Sequence, residues 1–151
     1  MIILLAASLM ACGGNKESKT DNSVENTSAS EGRAEEVKLD QYMVAGRQLY
    51  MTHCSSCHQP DGKGLAKLFP PLAGSDYLDA HFEEVPCIIR NGIKGEVTVN
   101  GVVYNQPMPG IPSLKPLDIA EITTYIYNSW GQEKGIVNVK DVEKMLEGCG
   151  I

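Results

Sequence analysis

Cys54-Ser55-Ser56-Cys57-His58 is the stretch from which the reading of the fold follows. Two thiols at i and i+3 with an imidazole directly after them make a C-x-x-C-H pentad, the pattern by which a polypeptide attaches a c-type haem. The spacing has a chemical reason. Each thiol can add to one vinyl group of the porphyrin, and the next residue then sets its imidazole on one side of the iron. The pentad therefore specifies a covalent cofactor and one axial ligand. Three other readings compete. A thioredoxin-like redox pair calls for a βαβ unit that the flanking sequence does not suggest, and it leaves His58 without a task. A zinc site wants a second ligand pair at similar spacing, whereas the remaining His and Cys residues are scattered singly. A structural disulfide across so tight a loop also leaves His58 unexplained.

Around the pentad, 151 residues give room for one domain with a modest core, plus tails. A formal charge of −6, with no dense Lys/Arg cluster to neutralise phosphates, excludes nucleic acid as a partner. Residues 1–11 are apolar and far too short to span a bilayer, which suits the core of an export signal. Leu9-Met10-Ala11-Cys12 resembles a bacterial lipobox, with cleavage before Cys12 and lipid on its sulfur; an ordinary secretory signal with an incidental Cys12 is the competing reading. Acyl chains there would anchor the protein to a membrane surface without a transmembrane helix. Residues 12–38 are rich in Ser, Asn, Glu, Lys and Gly and poor in large apolar side chains, so they read as a flexible tether. The folded domain is expected over 39–151.

Within that domain, Asp40 is the expected N-cap of a helix whose apolar positions Tyr42, Met43, Ala45, Leu49 and Tyr50 fall on helical spacing and which delivers the chain to Cys54. Gln59-Pro60-Asp61-Gly62-Lys63-Gly64 is a run of turn formers, and the prolines of Phe69-Pro70-Pro71-Leu72 impose an extended backbone. Ser75 or Asp76 can cap a helix carried by Tyr77, Leu78, Phe82, Val85, Ile88 and Ile89, kinked or delayed by Pro86 and stopped at Gly92. Glu96 to Tyr104 alternates β-formers around Asn100-Gly101, a strong hairpin signal. Gln106-Pro107-Met108-Pro109-Gly110 then presents a thioether on a stiff backbone. A helix is expected over 117–128, and Asn138 is the expected cap of a short last helix through Val139, Val142, Met145 and Leu146. Two cysteines remain, Cys87 and Cys149. In an exported protein they are candidates for one disulfide stapling the C-terminal extension, though two free thiols fit the sequence equally.

From about Asp40 to Trp130 the chain resembles the class I, mitochondrial-type c-type cytochromes, above all the small domains that accompany bacterial oxidases, reductases and dehydrogenases. The marks are the pentad, then Phe69-Pro-Pro-Leu72, then Met108-Pro109, then a final amphipathic helix ending Asn128-Ser-Trp-Gly131, in the family's order. The resemblance implies an all-α fold of three to five helices around one covalent haem c, with the hairpin preceding the distal ligand loop. It makes Pro70 the carbonyl acceptor for the free ring nitrogen of His58, which fixes the tautomer. It makes Met108 the distal ligand; His53 and His81 are the rivals. It also matches Gly46, Tyr50 and Tyr125 to the close crossing of first and last helices, where a missing Cβ permits contact.

With His58 and Met108 both on iron no position stays open for substrate, so the expected function is one-electron transfer and not catalysis. The expected protein is a monomeric, lipid-anchored carrier on the periplasmic side of a bacterial membrane, running between a quinol-oxidising complex and a terminal oxidase or reductase. Two alternatives stand beside it: a fixed cytochrome subunit of a respiratory complex, and a haem sensor or enzyme in which Met108 leaves the sixth position open.

Overall fold

The computed structural model describes residues 23–150, and the side chains of 31–150. The signal segment and Cys12 lie outside the described residues. Helix α1 runs Ser23–His53 and is followed at once by the single turn α2, Ser55–His58. After an extended stretch come α3 (Asp76–Ala80), a 3-10 turn (Phe82–Glu84) and α4 (Val85–Asn91). Four short strands follow, β1 (Gly92–Ile93), β2 (Val97–Val99), β3 (Val102–Tyr104) and β4 (Met108–Pro109), and then α5 (Pro116–Tyr127) and α6 (Val139–Glu147). The architecture is mostly helical, with two antiparallel two-stranded sheets, β2–β3 and β1–β4.

The core is built where α1 crosses α5. A Cβ on Gly46 would overlap the Glu121 carbonyl and lie 2.8 Å from the Cβ of Tyr125, so only glycine lets the two backbones meet. Tyr50, Ile119, Ala120 and Ile122 at this crossing are fully buried, each large apolar side chain contributing about 1.5–3 kcal/mol by leaving water. Helix α5 starts on Pro116 in the first turn, and the Asp118 carboxylate accepts the Lys115 N–H at 2.8 Å, satisfying a donor that the helix itself cannot. Buried Val142 brings α6 against the same core.

Four expectations need correction. Helix α1 begins at Ser23, not at Asp40, so residues 23–38 of the stretch read as tether are helical and Asp40 is an exposed mid-helix residue. Residues 31–38 are exposed throughout; Ala34, Glu35, Glu36 and Lys38 are good helix formers, and extending an existing helix needs no new nucleus. Contact with the body starts at Lys38, whose Nζ donates to Asn138 Oδ1 at 2.7 Å and sits 5.5 Å from the Tyr42 ring centroid. Asn138, although in the N-cap position of α6 where a side-chain cap was expected, makes none. The segment expected as one helix, kinked or delayed by Pro86, is three pieces; of the two effects expected of Pro86 the delay is the one seen, since it opens α4 in its first turn. The all-helical expectation with one hairpin missed the β1–β4 pair.

The expected hairpin is present, with Asn100 and Gly101 at φ +50° and +76°, the pair of positive dihedrals of a type I′ turn. Its tip is locked to α3. Asn100 N–H donates to Asp76 Oδ1 at 2.7 Å, Asp76 N–H returns a bond to Asn100 Oδ1 at 3.1 Å, and Ser75 Oγ caps α3 by accepting Leu78 N–H at 3.3 Å.

Candidate functional site

Helix α1 hands its ladder directly to the pentad. Cys54 N–H donates to Tyr50 O at 2.8 Å, and Cys57 and His58 N–H both reach Cys54 O, at 3.1 and 3.0 Å. One helical turn thus carries the two thiols at i and i+3, on one face. Cys54 and His58 are buried at 8% exposure and Cys57 is half-buried. Neither Cys54 nor Cys57 is in a disulfide. Burial, then the neighbouring Cys57, pushes the Cys54 thiol up to about 11, opposite to the lowered value that an exchange-reactive cysteine requires. Among the described residues no three His, Cys, Asp or Glu side chains converge as a metal cluster would. The thioredoxin and zinc readings of the pentad therefore lose their footing.

The imidazole of His58 is held by the second wall. Pro70 O lies 3.0 Å from His58 Nδ1, and a carbonyl only accepts, so Nδ1 carries the proton and Nε2 keeps its lone pair. Burial drives the ring's pKa down against the opposing pull of the Pro70 bond, which favours the neutral, ligating form. Pro70 is set at this distance because Gly64 leaves room for it: a Cβ on Gly64 would overlap the Phe69 and Pro70 carbonyls.

Two hollows adjoin the pentad. Cys54 lines the larger and Cys57 the smaller, while His58, Pro70, Ile93, Val97 and Met108 line both. The larger is walled by apolar side chains of α3, α4, β2 and α5, among them Leu78, Ile89, Val99 and Ile126. Two free thiols, an imidazole with its lone pair free, a thioether and an apolar crevice fit haem c by the chemistry of their donor set.

Met108 reaches this site through the sheet that the sequence did not reveal. Ile93 pairs with Met108 and Gly92 with Pro109. A Cβ on Gly92 would overlap the Met108 carbonyl, and one on Gly110 would overlap the Asn91 backbone. The ordering signal was in plain view as Gly92 and Gly110 flanking the segment, but Gly92 reads from sequence as a helix stop. His53 and His81 line neither hollow. His53 is exposed at the end of α1, and His81 stacks on Tyr77 at 4.2 Å between centroids with its Nδ1 3.1 Å from Glu84. Cys87 and Cys149 are joined as a disulfide, their Cα atoms 5.6 Å apart, tying the end of the chain to the helix that supplies Ile88 and Ile89 to the crevice.

Residues 43–130 match the family model for cytochrome c. Among curated proteins, the chain is similar to cytochrome c-552 of Thermus thermophilus, 32% identical over 99 residues, which is 63% of this chain and 75% of that protein. It is also similar to the cytochrome c subunit of the quinone alcohol dehydrogenase of Gluconacetobacter polyoxogenes, 36% identical over 109 residues, 69% of this chain but 23% of that subunit. The corresponding subunit of Gluconobacter oxydans is 28% identical over 106 residues and is matched over 22% of its length.

Proposed function

Since the chain belongs to the cytochrome c family, whose domain holds haem c covalently and transfers electrons, we propose that it is a mono-haem carrier of the class I type with His58 and Met108 as axial ligands. One observation carries this: His58 and Met108 line the same two hollows, one of which is also lined by Cys54 and the other by Cys57. Bound haem iron supplies the one-electron couple. The chain does the rest. Cys54 and Cys57 fasten the group, Pro70 orients His58, the thioether of Met108 occupies the position a substrate would need, and the apolar wall of α4 and β2 excludes water. A neutral sulfur donor favours reduced iron and raises the potential relative to two histidines.

On this reading residues 1–11 are an export signal, Cys12 is lipidated, the stretch 12–38 spans from membrane to domain, and 39–151 is the cytochrome domain on the periplasmic side. Among the described residues no helix is long and apolar enough to cross a membrane. The partners are a quinol-oxidising complex and a terminal oxidase or reductase, met through small transient contacts of less than about 1,200 Å². Redox potentiometry with absorption spectra tests the ligation. A single one-electron wave, a methionine-to-iron charge-transfer band in the oxidised form and no carbon monoxide binding are expected; ready binding of carbon monoxide at neutral pH would instead make the protein a sensor or enzyme.

Similarity to the cytochrome subunits of quinone alcohol dehydrogenases favours a second reading, a fixed subunit of a respiratory complex. Extraction of native membranes in mild detergent separates the two: the carrier migrates alone, the subunit with a large assembly.

A further inference from the structure

The residue directly after His58 is strained, and a buried phenol holds it. Gln59 adopts φ +62°, ψ 156°, a region that is essentially restricted to glycine and persists in other residues only where the surroundings over-determine it. Its N–H donates to Ser55 O at 3.0 Å, and its carbonyl accepts Gly62 N–H at 3.1 Å. The same carbonyl accepts the hydroxyl of Tyr50 at 2.7 Å. Tyr50 is completely buried, 5.3 Å from the Tyr125 ring and 5.6 Å from the Trp130 ring between centroids, so its oxygen has no freedom to follow Gln59 if the loop shifts. Trp130 braces the other end of the turn, since a Cβ on Gly62 would lie 2.7 Å from its indole. Gly64 N–H donates to the His58 carbonyl at 3.0 Å, which closes the turn back on the histidine.

We infer that Tyr50 is a positioning residue for the proximal histidine: its hydroxyl clamps the Gln59 peptide in its glycine-like conformation and so fixes the plane of the His58 ring, jointly with Pro70. The inference rests on His58 as an axial ligand. Helix packing accounts for the aromatic ring of Tyr50, because phenylalanine would fill the same space. It does not account for the hydroxyl, whose hydrogen-bond partner among the described residues is the peptide next to His58. Two restraints then act on one ring, Pro70 through its Nδ1 atom and Tyr50 through its backbone. Loss of either leaves the imidazole held by one restraint where there were two.

The test is proton NMR of the oxidised holoprotein together with potentiometry, because the spread of hyperfine-shifted haem methyl signals reports the orientation of the axial imidazole plane. Tyr50→Phe is expected to change that spread and to move the midpoint potential while the circular dichroism stays unchanged. Gln59→Gly leaves both readouts as in the wild type, since glycine needs no clamp. The double variant Tyr50→Phe/Gln59→Gly returns the methyl spread and the potential towards wild-type values, and a structural role alone would not produce that rescue. An unchanged methyl spread and potential in Tyr50→Phe, with only a lower denaturation midpoint, overturns the positioning role. So does a double variant as displaced as Tyr50→Phe alone. A wild-type protein without hyperfine-shifted imidazole signals is a separate failure, of the ligation itself, and takes the positioning role with it.

Discussion

Gly46 faces Tyr125 across the crossing of α1 and α5 so closely that a Cβ on Gly46 would lie 2.8 Å from the Tyr125 Cβ. The site depends on this contact, since Tyr50 sits one turn further along α1 and Cys54 follows its last residue directly. Gly46→Ala gains about 1 kcal/mol of helix propensity but forces apart two backbones, an overpacking that costs about 1–3 kcal/mol and occasionally more. The overlap with the Glu121 carbonyl involves rigid backbone, so the penalty wins. The variant is expected to lose about 2 kcal/mol, seen as a lower urea midpoint with an unchanged m-value. A midpoint equal to or above the wild type would show that the helices separate freely.

Gly110 makes the corresponding contact on the distal side. Its Cα lies against the backbone of Asn91 and Gly92 where β1 pairs with β4. An added methyl group there pushes β4 outward and Met108 with it, whereas the core under α5 is untouched. Gly110→Ala is therefore expected to weaken or abolish the methionine-to-iron band and to admit carbon monoxide, with a loss of stability within about 1–3 kcal/mol. Retention of the band and exclusion of carbon monoxide would show that β1–β4 does not hold the ligand in place.

Legibility followed the range of the interactions. The pentad, the Asn100-Gly101 turn and Pro116 at the start of α5 are local signals, written within a few residues of the structure they produce. The two-residue β1–β4 pair is not, since neither Gly92-Ile93 nor Met108-Pro109 has the length or alternation of a strand, and each forms only because the other is beside it. Asn138 has a good capping residue's chemistry yet bonds Lys38, a hundred positions away. Tyr50 read as core packing because hydrophobic spacing describes a ring and says nothing about where a hydroxyl ends. The early start of α1 was hidden by the Ser, Asn and Gly among its first residues, which favour loops.

Tyr127 gives the fold an alkaline limit. Its phenol is 1% exposed and donates to the Leu78 carbonyl at 2.6 Å. Burial first, and the Asp79 carboxylate second, push its pKa from 10.0 up to about 12. The folded state thus favours the neutral phenol. Its contribution is complete below about pH 10 and is lost as pH rises from there to about 12, at about 1.4 kcal/mol for each tenfold change in the acid dissociation constant. Tyr127→Phe is expected to begin about 1–2 kcal/mol less stable at pH 8, since the Leu78 carbonyl loses its donor, and to lose less on the way to pH 12. Urea midpoints of the two proteins therefore converge with rising pH. Parallel curves would mean that Tyr127 does not titrate in this window.

The disulfide between Cys87 and Cys149 closes a loop over a sequence separation of 62. In the chain-entropy treatment a cross-link of that span destabilises the unfolded chain by about 4 kcal/mol, with measured values from about 0 to 5. In the folded state the link has little to position at the iron, because Ile88 and Ile89 are already held by α4, and Val142 already seats α6. The two effects predict a separation of stability from chemistry. Cys87→Ser/Cys149→Ser is expected to lower the unfolding free energy by about 2–4 kcal/mol and to raise the m-value, because the uncrosslinked unfolded chain exposes more surface. Its visible spectrum and midpoint potential are expected to match the wild type. Potentiometry and urea denaturation on the same preparation decide the point: a shifted potential at unchanged stability would make the disulfide part of the redox site instead of a staple on the C-terminal extension.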